Sequence, residues 1–362
     1  MIQRRAIALI SGGLDSMLAA KSIQEQGILV EGLNFFTGFC IEGHAQLRRN
    51  TKKMRRNNAL WVGEQLGIKL HIIDIVEQYK DIVLNPKHGY GANLNPCLDC
   101  KIFMIRQAQT WLETHGFDFI ITGEVVGQRP MSQGKSNLLH ISKVSDLNGL
   151  LVRPLCAQNL PATYPEKAGW IQRDKMYGFS GRSRKGQIEL AKHYNITEYA
   201  QPAGGCCFLT DQHYSARLLD LWQSQGMRQY ELDDILLLKV GRHLRPAPHF
   251  KLIIGREESE NYYLQGYQNQ FISIEPMSHI GPLALIDGSP NEEEIHLCAQ
   301  ITARFSQGKL ADRVTLTVQR PDHSKETLEV TPFPEHEIPG SWYIEKTQAL
   351  PKHPARKIEA TT

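Results

Sequence analysis

No run of eighteen or more apolar residues occurs in the chain, which excludes a membrane-spanning helix. Absent too is a GxxxxGK(S/T) loop, so nucleotide chemistry of the Walker type has no anchor. Cysteine is sparse. Seven thiols in 362 residues are too few for a disulfide scaffold, and clustered cysteines in a reducing compartment more often serve metal or redox chemistry. The opening MIQRRAIALI has neither a signal-peptide h-region nor a cleavage site, so the expected compartment is the cytosol. No internal repeat is present. Hydrophobic residues at 41% and charged residues at 22% are ordinary for a globular protein, and the length suits two or three domains.

Acid is missing from one stretch. Between His44 and Trp61 lie Arg48, Arg49, Lys52, Lys53, Arg55 and Arg56 with no Asp or Glu. The segment reads either as a grip on a polyanion or as a solvated helix face.

The pattern along the first 125 residues alternates apolar strands with helical spacing. AIALI (6–10), ILVEGLNF (28–35), KLHIIDI (69–75) and FDFIITGE (117–124) read as strands, with helices at 17–27, 45–66 and 98–115. That alternation predicts a doubly wound α/β domain with a parallel sheet covered on both faces, spanning 1–210 with its less regular continuation. A smaller α+β domain is expected over 211–345. There SARLLDLWQSQG is an amphipathic helix, and the run from Ile235 to Leu264 reads as strand, turn, strand, helix start. RVTLTVQR (313–320) is a further strand. Residues 346–362 read as a disordered tail.

Ser11-Gly12-Gly13-Leu14-Asp15-Ser16 sits between a buried strand and a helix, where an open α/β sheet places its ligand crevice. Paired glycines let the backbone approach an anion, and the helix supplies N–H groups and a positive dipole end. Ser11 and Ser16 add hydroxyls. Asp15 would repel phosphate on its own, but it fits a loop that holds pyrophosphate through Mg²⁺. SGGLDS resembles the signature of the PP-loop ATP pyrophosphatases. That resemblance implies ATP as cosubstrate and adenylation of a carbonyl oxygen with release of pyrophosphate. Thr122-Gly123-Glu124 resembles the segment of that family that passes near the α-phosphate, which makes Gly123 and Glu124 nucleotide-site candidates. Gln128 and Arg129 follow as candidates for AMP or RNA phosphate, and Arg182, Arg184 and Lys185 as candidates for RNA backbone; a plain surface loop is the alternative for each.

Cys97 and Cys100 form NPCLDCK, and Cys206 and Cys207 form GGCCF. A CxxC of this kind is a redox pair, a zinc half-site or part of an iron–sulfur site. Two thiolates from CxxC plus one from GGCC would leave one iron of a [4Fe-4S] cluster open for sulfide. Buried structural thiols account for Cys40, Cys156 and Cys298. The placement is similar to the tRNA thiouridylases of the PP-loop family: Cys100 follows Asn-Pro as in the 2-thiouridylases, and Cys207 stands in a Gly-x-Cys-Phe motif. Cys97 stands where that group carries an acid, and in this it resembles iron–sulfur-dependent thiolases, which include archaeal-type 4-thiouridine synthetases. That resemblance implies Cys97, Cys100 and Cys206 (or Cys207) as cluster ligands. FKLIIGREESENYYL (250–264) resembles the NFACT-R domain, with Gly255, Arg256 and Asn261 as the matching residues and Arg256 as an RNA-contact candidate.

The expectation is an ATP-dependent tRNA thiouridine synthetase, with tRNA and a sulfur donor (a cysteine desulfurase or sulfide) as partners and no membrane. The alternatives are a PP-loop enzyme that amidates or otherwise modifies another acceptor, and a non-catalytic RNA-binding protein.

Overall fold

The structure, a computed structural model, describes residues 3–41, 57–145, 147–199 and 207–347. These divide into two compact units, the first running to Cys207 and the second from Phe208 onward.

In the first unit β1 (Arg5–Leu9), β2 (Leu29–Phe36), β3 (Leu70–Asp74), β4 (Phe119–Ile121) and β5 (Leu151–Val152) form one sheet in the order β3-β2-β1-β4-β5. Every pairing is parallel, with Ala6 opposite Val30 on one side and Phe119 on the other. A parallel strand buried on both faces needs apolar residues at both phases of the pleat. Ala6, Ala8, Phe119 and Ile121 pack with α1 (Leu14–Gln24) and α2 (Asn58–Leu66) on one face. Ile7, Leu33, Phe35 and Ile120 pack with Ile102, Ile105, Ala108 and Leu112 of α4 (Cys97–His115) on the other. Those four lie on one helical stripe. The helix ends at Gly116, whose φ of 66° is the left-handed cap that glycine adopts without strain.

Two short helices had no clear sequence signal: α3 (Val76–Leu84) and α5 (Lys135–Val144). Of the helix expected over 45–66, α2 covers the last part, started by Asn57, whose side chain accepts from the Ala59 and Leu60 amides. The basic residues Arg48, Arg49, Lys52, Lys53, Arg55 and Arg56 lie outside the described residues, as do the expected tail from 348 onward and Cys206. The unit is completed by α6 (Tyr164–Lys167) and α7 (Lys185–His193).

The second unit opens with α8 (Gln212–Gln225) and α9 (Leu232–Leu237). Its six strands are β6 (Arg242–Ala247), β7 (Phe250–Ile254), β8 (Ile272–Pro276), β9 (Ala284–Gly288), β10 (Val314–Gln319) and β11 (Lys325–Val330). They form an antiparallel sheet in the order β11-β10-β8-β9-β7-β6. Helices α10 (Glu258–Gln265) and α11 (Glu292–Arg304) accompany it. One expectation fails here. The ILLL run, read as the start of a strand, closes helix α9. A reciprocal cap between Glu231 and Asp234 and a second acid, Asp233, in the first turn favour a helix start at that point.

Candidate active site

The strand order reverses direction at β1, so the carboxyl ends of β1 and β4 flank a crevice of the type that binds ligands in open α/β sheets. SGGLDS leaves β1 at that point. Gly12 has a φ of 77°, a turn that side-chain-bearing residues resist. The Ser16 hydroxyl donates to the Gly13 carbonyl at 2.8 Å and accepts the Ser11 amide at 3.3 Å, which closes the loop onto the helix it starts. No side chain caps the first turn of α1, so its positive end faces the loop.

Asp15 sits in that first turn. One carboxylate oxygen accepts from Gln128 Nε2 at 2.6 Å, and Gln187 Nε2 donates to Gln128 Oε1 at 3.0 Å. The other oxygen lies 3.6 Å from Arg184 Nη2 and is buried without a hydrogen-bond partner; Arg184 Nε is likewise buried and unpartnered. An acid oxygen held this way suits a cation and its phosphate ligand. Mg²⁺ binds through one or two carboxylates plus substrate phosphates, so Asp15 fits it. Gln128 and Arg184 reach Asp15 because Val126 and Ser180 form a parallel bridge, with the Gly181 amide donating to the Val126 carbonyl at 2.8 Å. Arg129, Arg182 and Lys185 are exposed beside this junction.

Gly123 is pressed against the loop. A Cβ built there would lie 2.5 Å from the Asp15 carbonyl carbon and the Ser16 nitrogen. Backbone cannot yield that much locally, so Gly123→Ala should displace the phosphate loop. Displacement of a reacting group by about 1 Å costs roughly a hundredfold in rate. Any nucleotide-dependent activity of the variant should fall by about that factor while circular dichroism stays native.

Glu124 is directed elsewhere. Its Oε2 accepts from Arg153 Nε at 2.7 Å and from the Thr122 hydroxyl at 3.1 Å, with Lys101 Nζ 3.9 Å from Oε1. Burial pushes its pKa up, but Arg153 and Lys101 outweigh burial and hold it below the ordinary carboxylate range. Glu124 thus fixes the departing end of β4 through a buried ion pair.

The thiols fall into two classes. Burial pushes the Cys156 thiol up to about 11 and raises that of Cys298 as well, so neither is a nucleophile at neutral pH. Cys40, Cys97, Cys100 and Cys207 are partly exposed. Cys97 and Cys100 open α4, one turn apart. Asp99 between them accepts from both the His88 amide (2.8 Å) and, at 2.7 Å, the His88 ring, whose other nitrogen lies 3.2 Å from that of His140. That lock holds the loop before α4 onto the CxxC turn. Cys207 pairs with Cys40 across an antiparallel bridge.

Tyr79 on α3 joins the two halves of this cluster. Its phenol is buried and lies within electrostatic reach of Cys100, Cys207 and Cys40. Burial, and then Cys100 and Cys207, push its pKa well above the ordinary phenol value, so it keeps its proton at neutral pH. Phe39 and Phe103 flank it, with ring centroids 6.3 and 6.1 Å away. Neither Tyr79 nor Cys40 stands in a motif, and only the fold sets Cys40 opposite Cys207 and Tyr79 between Phe39 and Phe103. Among the described residues no group of three His, Cys, Asp or Glu is placed to hold a metal ion. Cys206, named above as a cluster ligand, lies outside them.

In the second unit the Arg256 guanidinium binds Glu260 at 2.7 Å, and its amide donates to the same carboxylate at 2.8 Å. That pairing raises the Arg256 pKa, and the side chain remains about 40% exposed, so the group can still face a polyanion.

Residues 1–160 match the family model described as thiamine biosynthesis protein (ThiI), and residues 241–343 match the NFACT protein RNA binding domain. The N-terminal unit is thus similar to the ThiI family over most of its length, and the second unit is similar to the NFACT RNA binding domain. Over 220 residues the chain is 32% identical to the tRNA-specific 2-thiouridylase MnmA of Baumannia cicadellinicola, covering 58% of this chain and 54% of that one. Over 126 residues it is 30% identical to MnmA of Campylobacter concisus, covering 34% and 35%. It is 27% identical over 153 residues to a probable tRNA sulfurtransferase of Thermococcus kodakarensis, covering 42% and 37%. The chain thus spans about a third to a half of the length of these curated relatives. Among solved structures, a 4-thiouridine synthetase–RNA complex with bound ATP aligns over 53% of this chain and 41% of that one, at 24% identity and a TM-score of 0.36.

Proposed function

We propose that the protein is an ATP-dependent tRNA thiouridine synthetase. The observation that carries this reading is that Tyr79 packs between Phe103, on the helix that Cys100 opens, and Phe39, next to the Cys40 that bridges Cys207, within the same unit as a PP-loop whose Asp15 keeps a buried oxygen unpartnered among the described residues. Amidation needs no such thiols, and RNA binding alone needs neither them nor Asp15.

The chemistry divides into two displacements. A uridine carbonyl oxygen attacks the α-phosphorus of ATP, and pyrophosphate leaves. Mg²⁺ held by Asp15 would supply charge neutralisation for the phosphates. The α1 N-terminus and the loop amides orient the anion. Adenylation turns a poor leaving group into a good one. A persulfide on one of Cys100 and Cys207 then attacks the activated carbon, and AMP departs with the original oxygen. The second thiolate attacks the first cysteine's sulfur, closing a disulfide and releasing the thiocarbonyl. A cysteine desulfurase or another persulfide source charges the first thiol. The RNA-binding domain holds the tRNA.

A cluster-dependent variant of this reading uses Cys97, Cys100 and Cys206 as iron ligands; what favours it is the CxxC on one helical turn. Iron and sulfide analysis of anaerobically purified protein separates the two. Iron-free protein that thiolates tRNA from a persulfide donor supports the thiol pair. Thiolation that needs bound iron and sulfide supports the cluster.

Tyr79→Phe tests the phenol as a donor to sulfur. The ring fills the same space between Phe39 and Phe103, so the fold should persist. Loss of a hydrogen bond to a charged sulfur is worth about 1.5–3 kcal/mol, or roughly ten- to a hundredfold. Thiolation should fall by about that factor while pyrophosphate release holds. Loss of both activities together would instead mark Tyr79 as a packing residue.

A further inference from the structure

The sulfur-transfer route above ends with Cys100 and Cys207 joined, and the next cycle needs both as thiols. Cys40 has no place in that route, yet it stands directly opposite Cys207. Residues paired across an antiparallel bridge have Cα atoms about 4.5–5.5 Å apart, inside the span of roughly 4.4–6.8 Å that a disulfide requires. Cys40 is also held in place. Its sulfur lies 3.4 Å from the Thr37 hydroxyl, which accepts the Phe39 amide at 3.2 Å. Thr37 and Phe39 are both buried, and Phe39 packs on Tyr79. Cys40 and Cys207 are each partly exposed, unlike the sealed Cys156 and Cys298.

We propose that Cys40 is the resolving thiol of the cycle, taking Cys207 into a Cys40–Cys207 disulfide and returning Cys100 to the thiol. The inference rests on the thiouridine synthetase reading. The Cys40 thiolate attacks the Cys207 sulfur of the Cys100–Cys207 disulfide. The new S–S bond forms as the old one breaks, and Cys100 leaves as thiolate and takes up a proton. No net oxidation occurs in this exchange. An external dithiol then reduces Cys40–Cys207, donating the two electrons that the persulfide sulfur gained on becoming the thiocarbonyl. The exchange returns Cys100 to the thiol at once, and reduction of Cys40–Cys207 then frees Cys207 for the next cycle.

The test needs neither ATP nor tRNA, so its outcome is independent of the thiolation reading, which pyrophosphate release and nucleoside analysis test separately. The reduced full-length protein is titrated with oxidised dithiothreitol, quenched in acid and alkylated. Disulfide-linked peptides are then located by fragmentation mass spectrometry. Cys40–Cys207 should be the dominant linkage, and Cys40→Ser should shift it to Cys100–Cys207. In turnover assays with a persulfide donor and dithiol, Cys40→Ser should show a burst of thiouridine followed by a slower steady rate set by direct reduction of Cys100–Cys207. The proposal is overturned if wild-type Cys40 is alkylated while Cys207 is linked to Cys100 or Cys206, or if Cys207 forms no disulfide at all.

Discussion

Asp15→Ala should lower ATP-dependent pyrophosphate release by on the order of a hundred- to a thousandfold, the range seen when one preorganised charge-stabilising group is removed. The protein should still fold. Among the described residues the Asp15 side chain makes a single hydrogen bond, from Gln128, and its second oxygen has no hydrogen-bond partner. Its loss therefore removes no packing and strands no buried cation other than the partly exposed Arg184. The stability cost is limited to the acid at a helix N-terminus, about 0.3–1 kcal/mol. A malachite green assay after pyrophosphatase treatment reads the activity, and thermal unfolding reads the fold. Wild-type pyrophosphate release from Asp15→Ala would remove the PP-loop from the mechanism.

Cys100→Ser and Cys207→Ser should have a different profile. Each should abolish sulfur transfer, by on the order of a thousandfold or more, as loss of a nucleophile does, and leave adenylation largely intact. A serine hydroxyl can neither carry a persulfide nor close a disulfide. Cys100 opens the helix whose Phe103 packs on Tyr79, and Cys207 bridges Cys40 beside Phe39, whereas the phosphate loop and its partners Gln128, Arg184 and Gln187 form a separate set of contacts. Cys156→Ser serves as the control, because that thiol is buried and held at about 11. The measurement is a paired assay of pyrophosphate and thiouridine on each variant. Cysteine variants that lose pyrophosphate release in step with thiolation would mean that the thiols support the nucleotide site and carry no sulfur.

What the sequence made legible was the part with strong local signal. SGGLDS announces a strand-to-helix turn through paired glycines, and the run of strand and helix periods through Ile121 gives the parallel sheet. CxxC announces chemistry by spacing alone. The rest depends on contacts between distant segments. Arg184 reads as an RNA contact in sequence because a basic loop suggests solvent, but the Val126–Ser180 bridge brings it to Asp15. Glu124 reads as a nucleotide-site candidate because it follows the glycine of a family segment, while its pairing with Arg153, farther along the chain, is visible only in the fold. Cys40 reads as a structural thiol because nothing around it in sequence is reactive, and only the fold sets it opposite Cys207. Tyr79 lies in a short helix whose sequence resembles many others. The ILLL run misled because apolar content is common to strands and helices, and the capping acids before it carried the deciding signal.

The central claim is that this chain couples ATP cleavage to sulfur insertion in tRNA. The most direct measurement incubates the full-length protein with Mg²⁺, ATP, unmodified tRNA and a persulfide-charged cysteine desulfurase, then digests the tRNA for nucleoside mass spectrometry alongside AMP quantitation. The account predicts thiouridine that depends on ATP, appears in step with AMP, and vanishes in Cys100→Ser while AMP persists. AMP formed with no thiouridine under these conditions, or with a nitrogen-substituted nucleoside in its place, would contradict it.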